Sequence, residues 1–188
     1  MNRSTAPMSS AAPKTRFDGV AIGLHWLLAL LIIGAFCMGL YMTSLPFSPQ
    51  RLKLFSWHKW AGISILSLSA LRLLWRLTHR PPPALPGPTW QVRAAHLTHR
   101  LMYVLFFAIP LVGWLYTSAA GVSVVLFGVL PLPDLVAPDK ALADSLKPLH
   151  AVLAFALAGL VALHVLATLK HQLIDHDGLL RRMWLGRQ

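Results

Sequence analysis

Four stretches of largely apolar residues dominate this chain, running from Val20 to Met42, His58 to Leu77, Leu97 to Thr117 and Leu149 to Leu169. Each matches the roughly 20 residues a helix needs to cross a bilayer. In lipid every backbone polar group must bond within the protein, so runs of this length and composition are helices. The expected fold is all-α, an integral membrane antiparallel four-helix bundle. Residues 17–188 form this one domain, and residues 1–16, rich in Ser, Ala and Pro, are expected to be a disordered arm. The first run is too long for a signal-peptide core and lacks a small-residue cleavage site, so it reads as a span.

Charge is sparse. The chain is 56% hydrophobic and 12% charged, whereas soluble domains carry about 25% charged residues. A net charge of +11 would point to nucleic acid in a soluble protein. Here the Lys and Arg lie in the connections between apolar runs, where they mark topology and meet anionic lipid head groups, so no nucleic-acid partner is expected. Twelve Lys and Arg fall on the side that holds both termini and the second connection, against five on the other side. The positive-inside rule therefore predicts cytoplasmic termini. The connection Arg80–Pro88 is Pro-rich and reads as extended. The third, around Leu130 to Lys147, is the longest and has room for a short surface helix. Cys37, the one cysteine, excludes an internal disulfide or a cysteine-based metal site.

Nine histidines carry the chemistry. Ionisable groups inside a membrane are costly and point to function. His150 and His164 are 14 residues apart, which brings them to about 40° of one helix face and roughly 21 Å apart along its axis. That spacing fits two haems stacked across the bilayer, one near each surface. Antiparallel helices then put His25 level with His164, and His58 level with His150. Bis-histidine ligation leaves iron no open position, which suits electron transfer over oxygen binding.

The same offset reads out other positions. From His25 it reaches Gly39, where a flat macrocycle could approach the backbone. From His58 it reaches Arg72, which either meets a haem propionate or snorkels to the near surface. Gly62, one turn after His58, either makes room for a ring or serves helix packing. His99, which lies 14 residues before Gly113, is an alternative ligand to His25.

At these residues the chain resembles the bacterial cytochrome b561 family. The resemblance rests on Leu24-His25-Trp26-Leu27, His58-Lys59-Trp60-Ala61-Gly62-Ile63, Leu71-Arg72-Leu73-Leu74-Trp75-Arg76, the run from His96 to Tyr103, Leu149-His150 and Leu163-His164. Together they extend from about Phe17 to Leu185, and their order and spacing are more specific than any one motif. The resemblance implies a four-helix bundle with two haems b, held by His25, His58, His150 and His164. It implies a multi-pass cytochrome of the bacterial inner membrane that exchanges electrons with ubiquinone. Some relatives are assigned oxidation of superoxide at the periplasmic face, which extends the same expectation to this chain.

A quinone site needs titratable groups beside a haem. His171 lies 7 residues beyond His164 on nearly the same face, and Trp26 offers a flat surface next to His25. These two are the candidate quinone residues, with a solvated His and an aromatic-belt Trp as the plain readings. On the far face Arg51, Lys53 and Lys59 could draw in an anion such as superoxide, and Asp134, Asp139 and Asp144 could cancel that pull. A haem-carrying anchor subunit of a dehydrogenase or hydrogenase is the alternative function. A haem-free transporter is disfavoured, because the helix interiors lack Asp and Glu.

Overall fold

The computed structural model describes residues 16–184. The predicted arm, except for Arg16, lies outside the described residues. Among the described residues four long helices form the bundle: α1 Gly19–Ser44, α2 Pro49–Thr78, α3 Thr89–Ala119 and α4 Lys140–Lys170. All four are long and apolar enough to cross a membrane, so the chain is a multi-pass, all-α membrane bundle. Each helix packs on the next in sequence. The two chain ends meet at one end of the bundle, where Phe17 N–H donates to the Arg182 carbonyl at 3.3 Å. This end is called proximal here and the opposite end distal.

The helices overrun the apolar stretches because they start at polar caps outside the lipid. Asp18 accepts from Ala21 N–H at 2.9 Å, Ser48 from Arg51 N–H at 3.2 Å and Asp139 from Leu142 N–H at 3.0 Å. Hydropathy cannot see such turns, but side-chain acceptors at the N-cap stabilise them. Pro49 follows its cap at a position where a missing N–H costs nothing.

The surface helix expected in the third connection does not exist as a separate element. Residues 140–147 are the opening turns of α4, which continues through Pro148. The connection proper holds a small antiparallel hairpin, β1 Val125–Leu126 with β2 Leu130–Pro131. Phe127 and Gly128, at φ +53° and +77°, form its left-handed turn, and Gly121, at φ +72°, follows the end of α3. The hairpin leans on α2: Trp60 Nε1 donates to the Val125 carbonyl at 2.7 Å and Lys59 Nζ to the Ser123 carbonyl at 3.0 Å.

Few residues of each span are fully buried, only 6% of the apolar window in α4, and many of the exposed side chains are large and apolar. The protein's own core is narrow. At mid-depth Met102 and Phe106 of α3 pack on Leu157 of α4, with Ile32 of α1 against them. Phe36 and Phe155 meet edge to face at 5.5 Å in the same layer. A second cluster, Ala119, Ala143 and Leu146, joins α3 to α4 distally.

Ser118 locks the connection to the end of α3. It is 1% exposed, and its Oγ accepts from Leu135 N–H at 3.1 Å. Ser118→Ala strands that donor, at a cost of about 1–3 kcal/mol. A thermal scan in detergent should show a lower midpoint for Ser118→Ala, while exposed Ser145→Ala stays at the parent value. Equal midpoints for Ser118→Ala and the parent would contradict this role.

Candidate functional site

Two groups of histidines form inside the bundle, one at each end. Distally, His58 of α2 faces His150 of α4, with ring centroids 6.1 Å apart and planes at 80°. Proximally, His25 of α1 faces His164 of α4, at 6.3 Å and 70°. A metal ion gripped from opposite sides by two imidazole nitrogens at about 2 Å each sets the ring centroids about 6.3 Å apart. Both pairs therefore have the separation that a shared metal-centred cofactor requires.

The backbone beside the distal pair is shaped to the rings. A Cβ on Gly39 of α1 would stand 3.3 Å from His58 Cε1. One on Gly113 of α3 would stand 3.0 Å from His150 Cε1. Only glycine leaves that space. His150 Nδ1 donates to the Ile109 carbonyl at 3.1 Å, which leaves Nε2 to face His58. His58 Nδ1 is buried without a hydrogen-bond partner.

The proximal group is more crowded. His99 also faces His164, at 5.4 Å and 63°, closer than two ligands on opposite sides of one metal stand, and it is more exposed than His25. Arg72 donates to His25 Nδ1 at 3.1 Å. An arginine is always a donor, so Nδ1 is the acceptor in this arrangement. A neutral imidazole ligating through Nε2 carries its proton on Nδ1. Ligation by His25 and this hydrogen bond exclude one another, and ligation frees Arg72 for another acceptor. Arg72 has no carboxylate partner among the described residues. Its guanidinium and that of Arg76 each lie 5.7 Å from the Tyr103 ring centre.

A C-terminal segment closes the proximal end. α4 runs into a π-helical turn, His171–Asp175, and then a short 3₁₀ turn, Leu180–Met183. His171 Nδ1 pairs with Asp177 at 2.5 Å and Asp175 at 3.2 Å. The ligand atoms of these three residues lie within 4.8 Å of one another, and Lys170 holds Asp175 at 2.6 Å. Beyond them, Met183 carbonyl accepts from Trp26 Nε1 at 2.7 Å, Trp184 carbonyl accepts from Arg16, and Arg182 donates to the Pro83 carbonyl at 2.7 Å. The segment straps α1 and the Pro-rich connection together.

Among the residues singled out from sequence, the four histidines, Gly39 and Arg72 thus converge on two sites. A Cβ on Gly62 would meet no protein atom within 4 Å. His171 and Trp26 sit at the same end, linked through the C-terminal strap. The distal cations do not converge: Arg51 lies over Phe55 at 5.6 Å, Lys53 over Trp57 at 5.0 Å, and Lys59 holds the hairpin. Sequence reading missed the Ile109 carbonyl, Asp177 and the strap. Asp177, six residues after His171, was legible as a partner; a backbone carbonyl on another helix was not.

Four spans with paired histidines at both ends define a multi-span membrane protein whose histidine pairs are spaced as metal ligands. The family model described as prokaryotic cytochrome b561 matches residues 16–186. "Cytochrome b561 homolog 2" of Escherichia coli K12 is 34% identical, over 96% of each chain. "Probable superoxide oxidase CybB" of Yersinia pestis is 35% identical, over 89% of this chain and 95% of that protein. "Cytochrome b561 homolog 1" of E. coli K12 is 31% identical, over 92% of this chain and 99% of its own. The chain belongs to the prokaryotic cytochrome b561 family and is an electron-transfer protein of that type.

The strap should be acid-labile. Slight burial works to raise the Asp177 carboxyl, but the Leu179 N–H, then His171 and Lys170, hold it below the ordinary 3.8. A depressed carboxyl contributes stability above its unfolded value, about 3.9, which is lost as pH falls through the lower folded value. Hydrogen exchange of residues 180–184 should quicken in that acid range and be fast at neutral pH in Asp177→Asn. Equal neutral-pH protection in the variant and the parent would refute the anchor.

Proposed function

We propose that this chain is a dihaem b-type cytochrome of the bacterial inner membrane that carries electrons between its faces and exchanges them with ubiquinone. The observation that carries this reading is the pair of ring separations, 6.1 Å distally and 6.3 Å proximally. When bound, each haem supplies a one-electron iron couple. His58 and His150 would hold the distal haem, and His25 and His164 the proximal one. The ring separations favour His25 over His99 as the proximal ligand. Two histidines per haem would leave its iron no open position, which suits electron transfer over oxygen binding. Gly39 and Gly113 leave the distal rings room against α1 and α3. Arg72, with no acidic partner among the described residues, would hold a propionate.

Charge asymmetry supports cytoplasmic termini, which puts the proximal site at the cytoplasmic surface. His171 and its carboxylate partners there can hold and pass protons, which quinone reduction consumes. Trp26, its N–H already bonded to Met183, would serve the quinone as a flat wall, not as a donor.

Superoxide is the proposed electron donor at the distal, periplasmic face. The name of the Yersinia relative supports this choice. Two superoxide anions would lose one electron each and leave as dioxygen; the two electrons and two cytoplasmic protons would convert a quinone to quinol. Arg51, Lys53 and Lys59 would raise the encounter rate of the anion through their field, even without converging.

Purified protein mixed with superoxide and a soluble ubiquinone should form quinol with no other protein present. Full haem reduction by dithionite without quinol formation from superoxide would instead favour an anchor subunit that needs a partner. His58→Ala and His150→Ala should each lose the same haem, and His164→Ala the other, leaving one per chain. Retention of both haems in any of the three would overturn the pairing. Haem loss in His99→Ala with retention in His25→Ala would move the proximal ligand to α3.

A further inference from the structure

We propose that Gly113 is a positioning residue that sets the reduction potential of the distal haem by letting His150 hydrogen-bond to the Ile109 carbonyl. The inference rests on the dihaem reading above and adds a determinant to one of its two sites.

In a helix each Cβ tilts toward the N-terminus, so a side chain covers the turn that precedes it. The side chain at position 113 would therefore lie over the carbonyl of residue 109. Glycine leaves that carbonyl open from the side. His150 uses the opening: its Cε1–Nδ1 edge lies where a Cβ would stand 3.0 and 3.2 Å from those atoms, against 3.9 Å from Nε2. Nδ1–H then donates to the Ile109 carbonyl at 3.1 Å.

That hydrogen bond does two things. It places the proton on Nδ1 and so makes Nε2 the nitrogen available to iron. It also makes the ligand a better electron donor, as partners of ligating imidazoles do. A more basic ligand favours the ferric state, which holds the distal potential down.

The other distal ligand provides an internal comparison. His58 presents the same edge to Gly39, at 3.3 Å to Cε1 and 3.8 Å to Nδ1. The buried Nδ1 of His58 completes no hydrogen bond. The two distal ligands, on helices that run the same way, thus each lie against a glycine, and only His150 engages a backbone carbonyl.

The test is a redox titration of Gly113→Ala, with Gly39→Ala and Gly159→Ala beside it. Gly159 is exposed and a Cβ there meets nothing within 4 Å. His58→Ala, which retains only the proximal haem, identifies the two titration steps. Gly113→Ala should favour reduction of the distal haem about tenfold, a rise of ~59 mV for a one-electron couple. It should also move the ferric low-spin electron-resonance signal of that haem alone. Gly39→Ala should shift it less, and Gly159→Ala not at all. Loss of the distal haem alone from Gly113→Ala also supports the proposal, because the ligand has then been displaced. An unchanged or lowered distal potential, or equal shifts in both haems, overturns it. A parent protein that binds no haem fails the dihaem reading itself, which is a different result.

Discussion

The architecture depends on imidazole rings held a fixed distance apart across the bundle interior. Apolar faces give membrane helices little reason to prefer each other over lipid, so association rests on close packing and on buried polar contacts. Here the apolar core is two small clusters, one around Phe106 and Leu157 and one at the distal end around Ala143 and Leu146. Above and below the first cluster the helices meet through histidines: His58 with His150 distally, His25 and His99 with His164 proximally. A ring pair spaced for a metal is a weak contact on its own. It becomes a strong one when a cofactor bridges it, which couples folding to cofactor binding.

The two ends differ in how they fix their histidines. Distally, backbone does the work: glycines on α1 and α3 admit the ring edges, and a carbonyl on α3 sets one tautomer. Proximally, charge dominates. Arg72, Arg76 and Tyr103 gather around the rings, and the C-terminal strap lies beyond them. The distal rings are thus fixed by backbone, and the proximal ones lie among polar side chains. The aromatic pair Phe36 and Phe155 separates them.

Much of this was legible in the sequence because both governing signals are periodic. Apolar length gave four spans, and helical pitch sorted His25, His58, His150 and His164 into two levels. The same arithmetic put Gly39 level with His58 and Arg72 level with His25, where the structure brings each pair into contact. What escaped lies outside periodicity. Helix starts at Ser48 and Asp139 are set by caps in polar sequence, so the opening turns of α4 read as a loop with a surface helix. The convergence of the distal cations failed because Arg51 and Lys53 fold back on aromatic rings of their own helix. The Ile109 carbonyl and the strap are backbone partners from distant segments, which side-chain identity cannot reveal.

The most direct test is the cofactor content and spin state of the unaltered protein, purified in mild detergent. The account predicts two b-type haems per chain, both low-spin with bis-imidazole electron-resonance signatures. A colourless protein, a single haem, or a high-spin iron with an open coordination position would contradict it.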